Sequence, residues 1–130
     1  MTIGKSAYAT LEEFAAERFI VGIGLGDSSV ETMGLKPARL RDFEKAIADM
    51  RALFAGNEAE LESGKIHLLH PPRRRVPFYI AASGPKMLEL AGRIADGIIL
   101  LVGIDDNYIR FAKQRIDAGA QAANRDPWEL

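Results

Sequence analysis

The sequence contains no cysteine, which excludes disulfide bonds, thiolate metal sites and cysteine nucleophiles. It also has no excess of charge of one sign: the formal net charge is −1, so no basic field indicates binding to nucleic acid or to an anionic membrane surface. No apolar run approaches the roughly 18 residues that a membrane-spanning helix needs, and the N-terminus has no basic segment followed by an apolar one. We therefore expect a soluble, cytoplasmic protein without a cleaved leader.

The composition is that of an ordinary globular protein. Of the 130 residues, 48% are hydrophobic and 27% are charged, which predicts a single domain over residues 1–130. The two histidines, His67 and His70, fall in a segment predicted to form a β-hairpin, and their spacing there does not suit a metal site. The arginines at 73–75 have no aromatic residues between them, which is typical of a solvated loop rather than of a phosphate site.

Three short segments are almost continuously apolar, at residues 19–24, 78–82 and 98–102. Such segments are typical of parallel strands that are buried on both faces. Helical spacing of apolar residues predicts helices at 7–16, 37–55, 85–95 and 107–123. The stretch from 76 to 102 is thus a strand, a helix and a strand, and the alternation of strands and helices predicts an α/β fold. Residues 59–62 and 65–69 flank Ser63-Gly64, which predicts a two-residue hairpin turn.

The turn after the second strand is the strongest candidate site. Ser83 and Gly84 precede Pro85, which suits the first position of a helix, where its missing N–H group is no loss. Free backbone N–H groups at such a turn form an anion site at the positive end of the helix dipole. The same residues can instead act only as a helix cap, and the turn by itself leaves both interpretations open.

A second candidate loop, at 25–31, follows the first strand, where parallel sheets bind their ligands. Its glycines do not fit a dinucleotide site. Gly22, Gly24 and Gly26 have the spacing GxGxG rather than GxGxxG, which disfavours a nucleotide-binding Rossmann fold.

Several segments together resemble the bacterial luciferase-like oxidoreductases, in particular the branch similar to methylenetetrahydromethanopterin reductase. The resemblance covers nearly the whole chain. It is carried by residues 9–11, by ERFIVGIGLGDS at 17–28, by KPA at 36–38, by VPFYIAASGPKM at 76–87 and by LAGRIADGIIL at 90–100.

This resemblance implies a partial TIM (β/α)8 barrel with about three parallel strands, their helices and a small β-hairpin excursion. It implies coenzyme F420, a deazaflavin, or FMN as the cofactor, and a small organic substrate with which the cofactor exchanges hydride. Ala82, Ser83 and Gly84 would hold the cofactor phosphate, and Gly97 with Ile98 would lie beside the cofactor. Gly26, Asp27 and Ser28 would line the mouth for substrate or cofactor. No catalytic residue follows from the resemblance.

The length of the chain departs from the family pattern. A full barrel has eight strands in about 250 residues, whereas three strands are predicted here. The chain is therefore either an oxidoreductase, whole or in part, or a non-catalytic module that binds phosphate or flavin or serves assembly. Three such strands leave one sheet face and two edges uncovered, which predicts a homodimer or a larger homo-oligomer.

Overall fold

Strands and helices alternate along most of the chain. The computed structural model describes residues 7, 10, 11, 13–15, 18–26, 28–101 and 103–126, with the backbone alone for Ser28 and Ser29. The strands are β1 (Val21–Ile23), β2 (Ala59–Leu61), β3 (Gly64–Ile66), β4 (Phe78–Ala82) and β5 (Gly97–Leu100). The helices are α1 (Ser28–Thr32), α2 (Leu40–Phe54), α3 (Pro85–Ile94) and α4 (Asp106–Ala122). The residues described between 7 and 14 are also helical, in agreement with the helix predicted there.

The chain divides into two compact units. The first comprises Met1–Val21 and Ala38–Val76, and the second comprises Gly22–Pro37 and Pro77–Leu130. The assignment of residues 1–130 to one domain stays a prediction. None of the helices in the described part of the chain is long and apolar enough to cross a membrane.

The central sheet has the strand order β1-β4-β5. β4 and β5 are parallel, with Tyr79 opposite Gly97 at one end and Ala82 opposite Leu100 at the other. Burial alternates along β4, since Phe78, Ile80 and Ala82 are buried while Tyr79 and Ala81 are half-buried. The prediction that this strand is buried on both faces is therefore wrong for this chain. Helix α3 packs on β4, and α4 packs on α3.

Four residues mark the second face of the sheet. A Cβ built on Gly22 would lie 3.7 Å from Ile99 Cδ1, and one built on Gly24 would lie 3.4 Å from the Cβ of Ala81. Gly22, Gly24, Ala81 and Ile99 therefore share one face, which we call the open face. Gly22, Gly24 and Ile99 are exposed, so the described residues leave this face of the sheet largely uncovered.

The unit formed by β4, α3 and β5 agrees with the sequence prediction. α3 begins at Pro85 and ends at Ile94, and β5 follows after two residues. Asp96, just before β5, is hydrogen-bonded twice to Phe78 at the start of β4. Its N–H donates to Phe78 O at 2.9 Å, and its Oδ2 accepts from Phe78 N at 2.9 Å. β5 begins one residue earlier than predicted, and no strand residue is recorded after Leu100 in the described part of that segment.

α3 and α4 cross with their backbones in close contact. A Cβ on Gly92 would overlap Ile116 O, and a Cβ on Gly119 would overlap Glu89 O. Arg125 follows α4 and donates to Gly92 O at 3.0 Å and to Ala95 O at 2.6 Å. The last carbonyls of α3 are thus bound by a guanidinium from beyond the next helix, a favourable position for a cation.

In the first unit, α2 packs on β2. Its buried stripe follows the predicted helical spacing and comprises Phe43, Ile47, Met50, Leu53 and Phe54. The helix ends as predicted. Gly56 has φ +81° and Asn57 N donates to Ala52 O at 2.9 Å, which is the pattern of a Schellman cap. The predicted start at Pro37 is wrong, because Arg39 is an extended N-cap and the helix begins at Leu40.

The hairpin of β2 and β3 is present, with its turn shifted by one residue. Leu61 pairs with Gly64, so Glu62 and Ser63 form the two-residue turn in place of the predicted Ser63-Gly64. Gly64, with φ +112°, takes the backbone conformation that a residue with a side chain avoids. Lys45 of α2 donates to Glu60 O at 3.1 Å, which fixes the hairpin on the helix.

Candidate functional site

The N-terminus of α3 carries no side-chain cap. Its N-cap residue is Gly84, which has an extended backbone and, as a glycine, no side chain that could accept from the first N–H groups of the helix. The first intrahelical bond runs from Leu88 N to Gly84 O at 2.9 Å. The N–H groups of Gly84, Lys86 and Met87 precede it and have no partner within the helix. The N-cap is Gly84 and not Ser83. The interpretation of this turn as only a helix cap is therefore weakened, because Ser83 was its capping side chain.

Space above the turn is open. A Cβ built on Gly84 would have no heavy atom within 4 Å among its non-neighbouring residues. Ser83, Gly84, Pro85 and Lys86 are exposed. The turn therefore combines N–H donors, the positive end of the α3 dipole and a cationic side chain at the second helical position, all features that suit an anion.

Ala82, the residue before this turn, is held by packing and by one backbone hydrogen bond. Its side chain is buried, and its carbonyl accepts from Leu101 N at 3.1 Å. This hydrogen bond continues the pairing of β4 and β5 by one residue and fixes Leu101 beside the turn. Ala82, Ser83 and Gly84 thus follow one another at the carboxyl end of β4, and their role in holding a cofactor phosphate stays a prediction.

Gly97 and Ile98 lie at the other end of β5. Gly97 pairs with Tyr79, three residues before Ala82, which is about 10 Å along a strand. A Cβ on Gly97 would lie 2.5 Å from two carbons of the Tyr79 ring. The space over Gly97 is therefore filled by an aromatic ring, and the structure does not bring Gly97 and Ile98 together with Ser83 and Gly84.

The loop after β1 differs from the polar loop predicted at 25–31, because α1 begins at Ser28. Gly26 has φ +83°, and a Cβ on it would overlap the Val30 side chain, so the glycine meets a local packing demand. Asp27 lies outside the described residues, and only the backbone of Ser28 is described. The assignment of these three positions to the mouth of a site stays a prediction.

Sequence reasoning missed three exposed apolar side chains in the part of the chain that follows β5. Leu101, Ile104 and Tyr108 follow β5 and are 55%, 96% and 61% exposed. Asp105 caps α4 by accepting from Asn107 N at 2.9 Å, so Ile104 precedes a fixed helix start. The signal available in the sequence was the run from 97 to 104, which contains no charged or hydroxyl side chain.

The described residues contain no group of three or more His, Asp or Glu side chains that could hold a metal ion. The candidate site is therefore built from backbone donors, one lysine and apolar side chains.

Comparison with known proteins assigns this arrangement to a family. Residues 3–130 match the model of the luciferase-like monooxygenases. The chain belongs to this family. The fold described above is accordingly part of a TIM barrel, and the open face corresponds to the side of a barrel strand that points inward.

Relatives within the luciferase-like family include F420-dependent enzymes. The chain is 32% identical to the 5,10-methylenetetrahydromethanopterin reductase of Methanolobus tindarius, with 98% of this chain and 41% of the relative covered. It is 35% identical to the F420-dependent glucose-6-phosphate dehydrogenase of Microbacterium testaceum, with 91% and 38% covered. It also superimposes on the coenzyme F420 dependent tetrahydromethanopterin reductase of Methanopyrus kandleri, with a TM-score of 0.79, 25% identity, and 98% and 43% covered. The chain thus spans about two fifths of the length of these relatives.

Proposed function

We propose that the turn at Ser83 and Gly84 binds the phosphate of a flavin-type cofactor, coenzyme F420 or FMN. The chain would then be part, or the whole, of an oxidoreductase that transfers hydride between this cofactor and a small organic substrate. One observation carries the proposal: the N-terminus of α3 has no side-chain cap and lies under open space at the carboxyl end of a strand parallel to its neighbour. Two of the relatives named above are called F420-dependent.

The residues of the turn have separate roles in this proposal. Gly84 allows the phosphate to approach the backbone closely, because no side chain stands over it. The N–H groups of Lys86 and Met87 donate to phosphate oxygens, and the ammonium group of Lys86 adds attraction. Ala82 holds the strand end in place through its hydrogen bond to Leu101. The bound cofactor supplies the hydride chemistry, and the protein binds and orients it.

A second candidate function is binding without catalysis, as a phosphate- or flavin-binding or assembly module. It is favoured by the composition of the site, since backbone N–H donors and one lysine bind an anion without themselves carrying out a reaction. The two functions differ in turnover. An oxidoreductase changes the absorbance of F420 or FMN when substrate is added, whereas a binding module shows only the binding signal.

Two further points belong to the proposal. The open face and the free edges of a three-stranded sheet favour a homodimer or a larger homo-oligomer. Residence in the cytoplasm accords with the absence of cysteine from the sequence.

Substitution Ser83→Glu tests the phosphate site. A carboxylate beside the N–H donors repels phosphate and competes for the same groups, so we expect the Kd for F420 to rise at least tenfold, about 1.4 kcal/mol. The fold should persist, because Ser83 is exposed and precedes the helix. Fluorescence titration with F420, and separately with FMN, measures the affinity and distinguishes the two cofactors.

Ser63→Glu is the matched control, because Ser63 is also exposed and also lies in a tight turn, that of the hairpin. It should leave the Kd within twofold. Equal losses in both variants, or an unchanged Kd in Ser83→Glu, would contradict the assignment of the site.

A further inference from the structure

Helix α3 is contacted by two arginines from α4 and the segment after it. Arg115 of α4 donates to Glu89 at 2.9 Å, and Glu89 is the only acidic residue of α3. Arg125, which follows α4, donates to Gly92 O at 3.0 Å and to Ala95 O at 2.6 Å. Both negative features of α3, its one carboxylate and its C-terminal carbonyls, thus have a guanidinium partner.

The N-terminal end of α3 has no comparable negative group. Its first turn contains no acidic side chain, and its N-cap residue, Gly84, has no side chain at all. Lys86, at the second helical position, adds a positive charge. The helix dipole contributes about half an elementary charge of positive sign at this end and about the same of negative sign at the other. An anion at the turn of Ser83 and Gly84 is therefore attracted by the near end of α3 and repelled by the far end.

Arg125 reduces the repulsion from the far end. Two carboxylates adjoin this end, since Asp96 follows Ala95 and Asp126 follows Arg125 in the sequence. Arg93, in the last turn of the helix, is the other cation there. Without Arg125, one arginine would remain beside two carboxylates and the negative pole of the helix. That end would then carry a net negative charge and weaken anion binding at the turn.

The length of α3 sets the size of this effect. Its ten residues span about 15 Å. A change of one charge at that distance alters the affinity for a phosphate by about threefold when the effective dielectric constant lies between those of protein and bulk water. Arg125 is half-buried, so salt screens its charge less than that of an exposed side chain.

We propose that Arg125 is a positioning residue of the cofactor site: bound to the C-terminal carbonyls of α3, it raises the affinity of the turn at Ser83 and Gly84 for the cofactor phosphate. The inference rests on the proposed function, because it takes this turn as the phosphate site. Arg125 contacts α3 and acts on the anion through the charge at the helix end. The pair of Arg115 and Glu89 carries no net charge, so Arg125 is responsible for most of the effect.

The variants Arg125→Gln and Arg125→Lys separate charge from structure. Both should lower the thermal midpoint, because neither provides the two donors of a planar fork. Only Arg125→Gln removes the charge, so its Kd for F420, or for FMN, should rise about threefold at an ionic strength of about 0.01 M, where the screening length is about 30 Å. Arg125→Lys should keep the Kd within about 1.5-fold, because the charge remains. At about 1 M salt the two variants should have the same Kd.

Arg41→Gln is the matched control for the loss of one positive charge. Arg41 is an exposed residue of α2 that lies 3.6 Å from Asp42, and it belongs to the other compact unit. Its substitution should change the Kd by less than about 1.5-fold. An equal rise in Arg41→Gln would trace the effect to net charge alone, and equal Kd values for Arg125→Lys and Arg125→Gln at low salt would show that the charge has no part in it. Either result would overturn the proposal.

Ser83→Glu in the same titrations separates this inference from the proposed function. Weaker binding in both Ser83→Glu and Arg125→Gln supports both. Weaker binding in Ser83→Glu alone removes the role of Arg125 and leaves the phosphate site. Weaker binding in Arg125→Gln alone, or an unsubstituted chain that binds neither F420 nor FMN, removes the phosphate site and with it the role of Arg125.

Discussion

At the scale of single residues, Tyr79 and Gly97 form a pair across β4 and β5. The Tyr79 ring lies where a side chain at 97 would stand, and a Cβ there would come within 2.5 Å of it. The ring thus covers a glycine in a strand and restores packing that the missing side chain would have provided.

Gly97→Ala should lower the free energy of unfolding by about 1 to 2 kcal/mol, because the added methyl group forces the Tyr79 ring to move away from position 97. In the background of Tyr79→Ala, the same substitution should cost almost nothing. Denaturant unfolding of the four proteins measures a coupling energy, which we expect to exceed about 1 kcal/mol. Additive effects would show that the ring and the glycine act independently.

The sequence predicted the turn of the site better than the details around it. Pro85 identifies the helix start, and Ser83-Gly84 before it identifies the position of the turn, because these are local properties of a few adjacent residues. Gly97 is packed against the ring of Tyr79, which lies 18 positions earlier in the chain. The sequence alone does not show that these two residues lie opposite each other. Leu101 and Ile104 were missed because exposed apolar residues in a run such as 97–104 have the same sequence pattern as buried ones.

At the scale of elements, the crossing of α3 and α4 depends on two glycines. Each removes a Cβ that would overlap a carbonyl of the other helix. The exposed side of the crossing is held by Arg115, which bonds Glu89 at 2.9 Å and lies 5.4 Å from the Phe111 ring. The exposed ion pair contributes little, so the close backbone approach is the dominant feature.

Gly92→Ala should therefore lower the free energy of unfolding by about 2 to 3 kcal/mol, since the added methyl group forces the helices apart. The thermal midpoint should fall by several degrees. Gly22→Ala is the control: it also adds one methyl group to a glycine, but that group makes an ordinary contact 3.7 Å from Ile99. Its stability should change by less than about 0.5 kcal/mol. A control as destabilised as Gly92→Ala would refute the steric argument.

Element boundaries were predicted with uneven success for physical reasons. β4 and the start of α3 agree with the prediction because strand and proline signals coincide there. α2 begins three residues after Pro37, because Arg39 adopts an extended conformation that ends the preceding loop. The hairpin turn moved by one residue because Gly64 pairs with Leu61 instead of lying in the turn.

At the scale of the whole molecule, the α/β class and the pairing of β4 with β5 followed from the sequence, because parallel strands and their crossover helix are contiguous. The apolar runs did not predict that one face of the sheet is exposed. Ile99 is 43% exposed although it lies in a run that resembles a fully buried strand. In a complete barrel, side chains from the other strands pack against this face. A strand can therefore be apolar on both faces in sequence and still have one face exposed in this chain.

Self-association is the expected behaviour of a chain with this open face. Light scattering should give at least twice the 14.3 kDa of one chain, because burial of apolar surface contributes about 25 cal/mol per Å². Ile99→Lys should shift the mass toward one chain, whereas Met33→Lys, at a position that is also exposed, should not. A monomer at every concentration tested would exclude this assembly.

The hydrogen bonds of Arg125 also bear on the order in which the protein is made. Gly92 and Arg125 are 33 residues apart, so at roughly 5 to 20 residues per second the ribosome adds this arginine about 2 to 7 s after the glycine. During that interval Gly92 O and Ala95 O lack the guanidinium donor that binds them in the folded chain. Translation of α4 and the arginine after it thus completes the end of a helix whose beginning was synthesised much earlier, and a pause before codon 125 would prolong the life of that incomplete nascent chain.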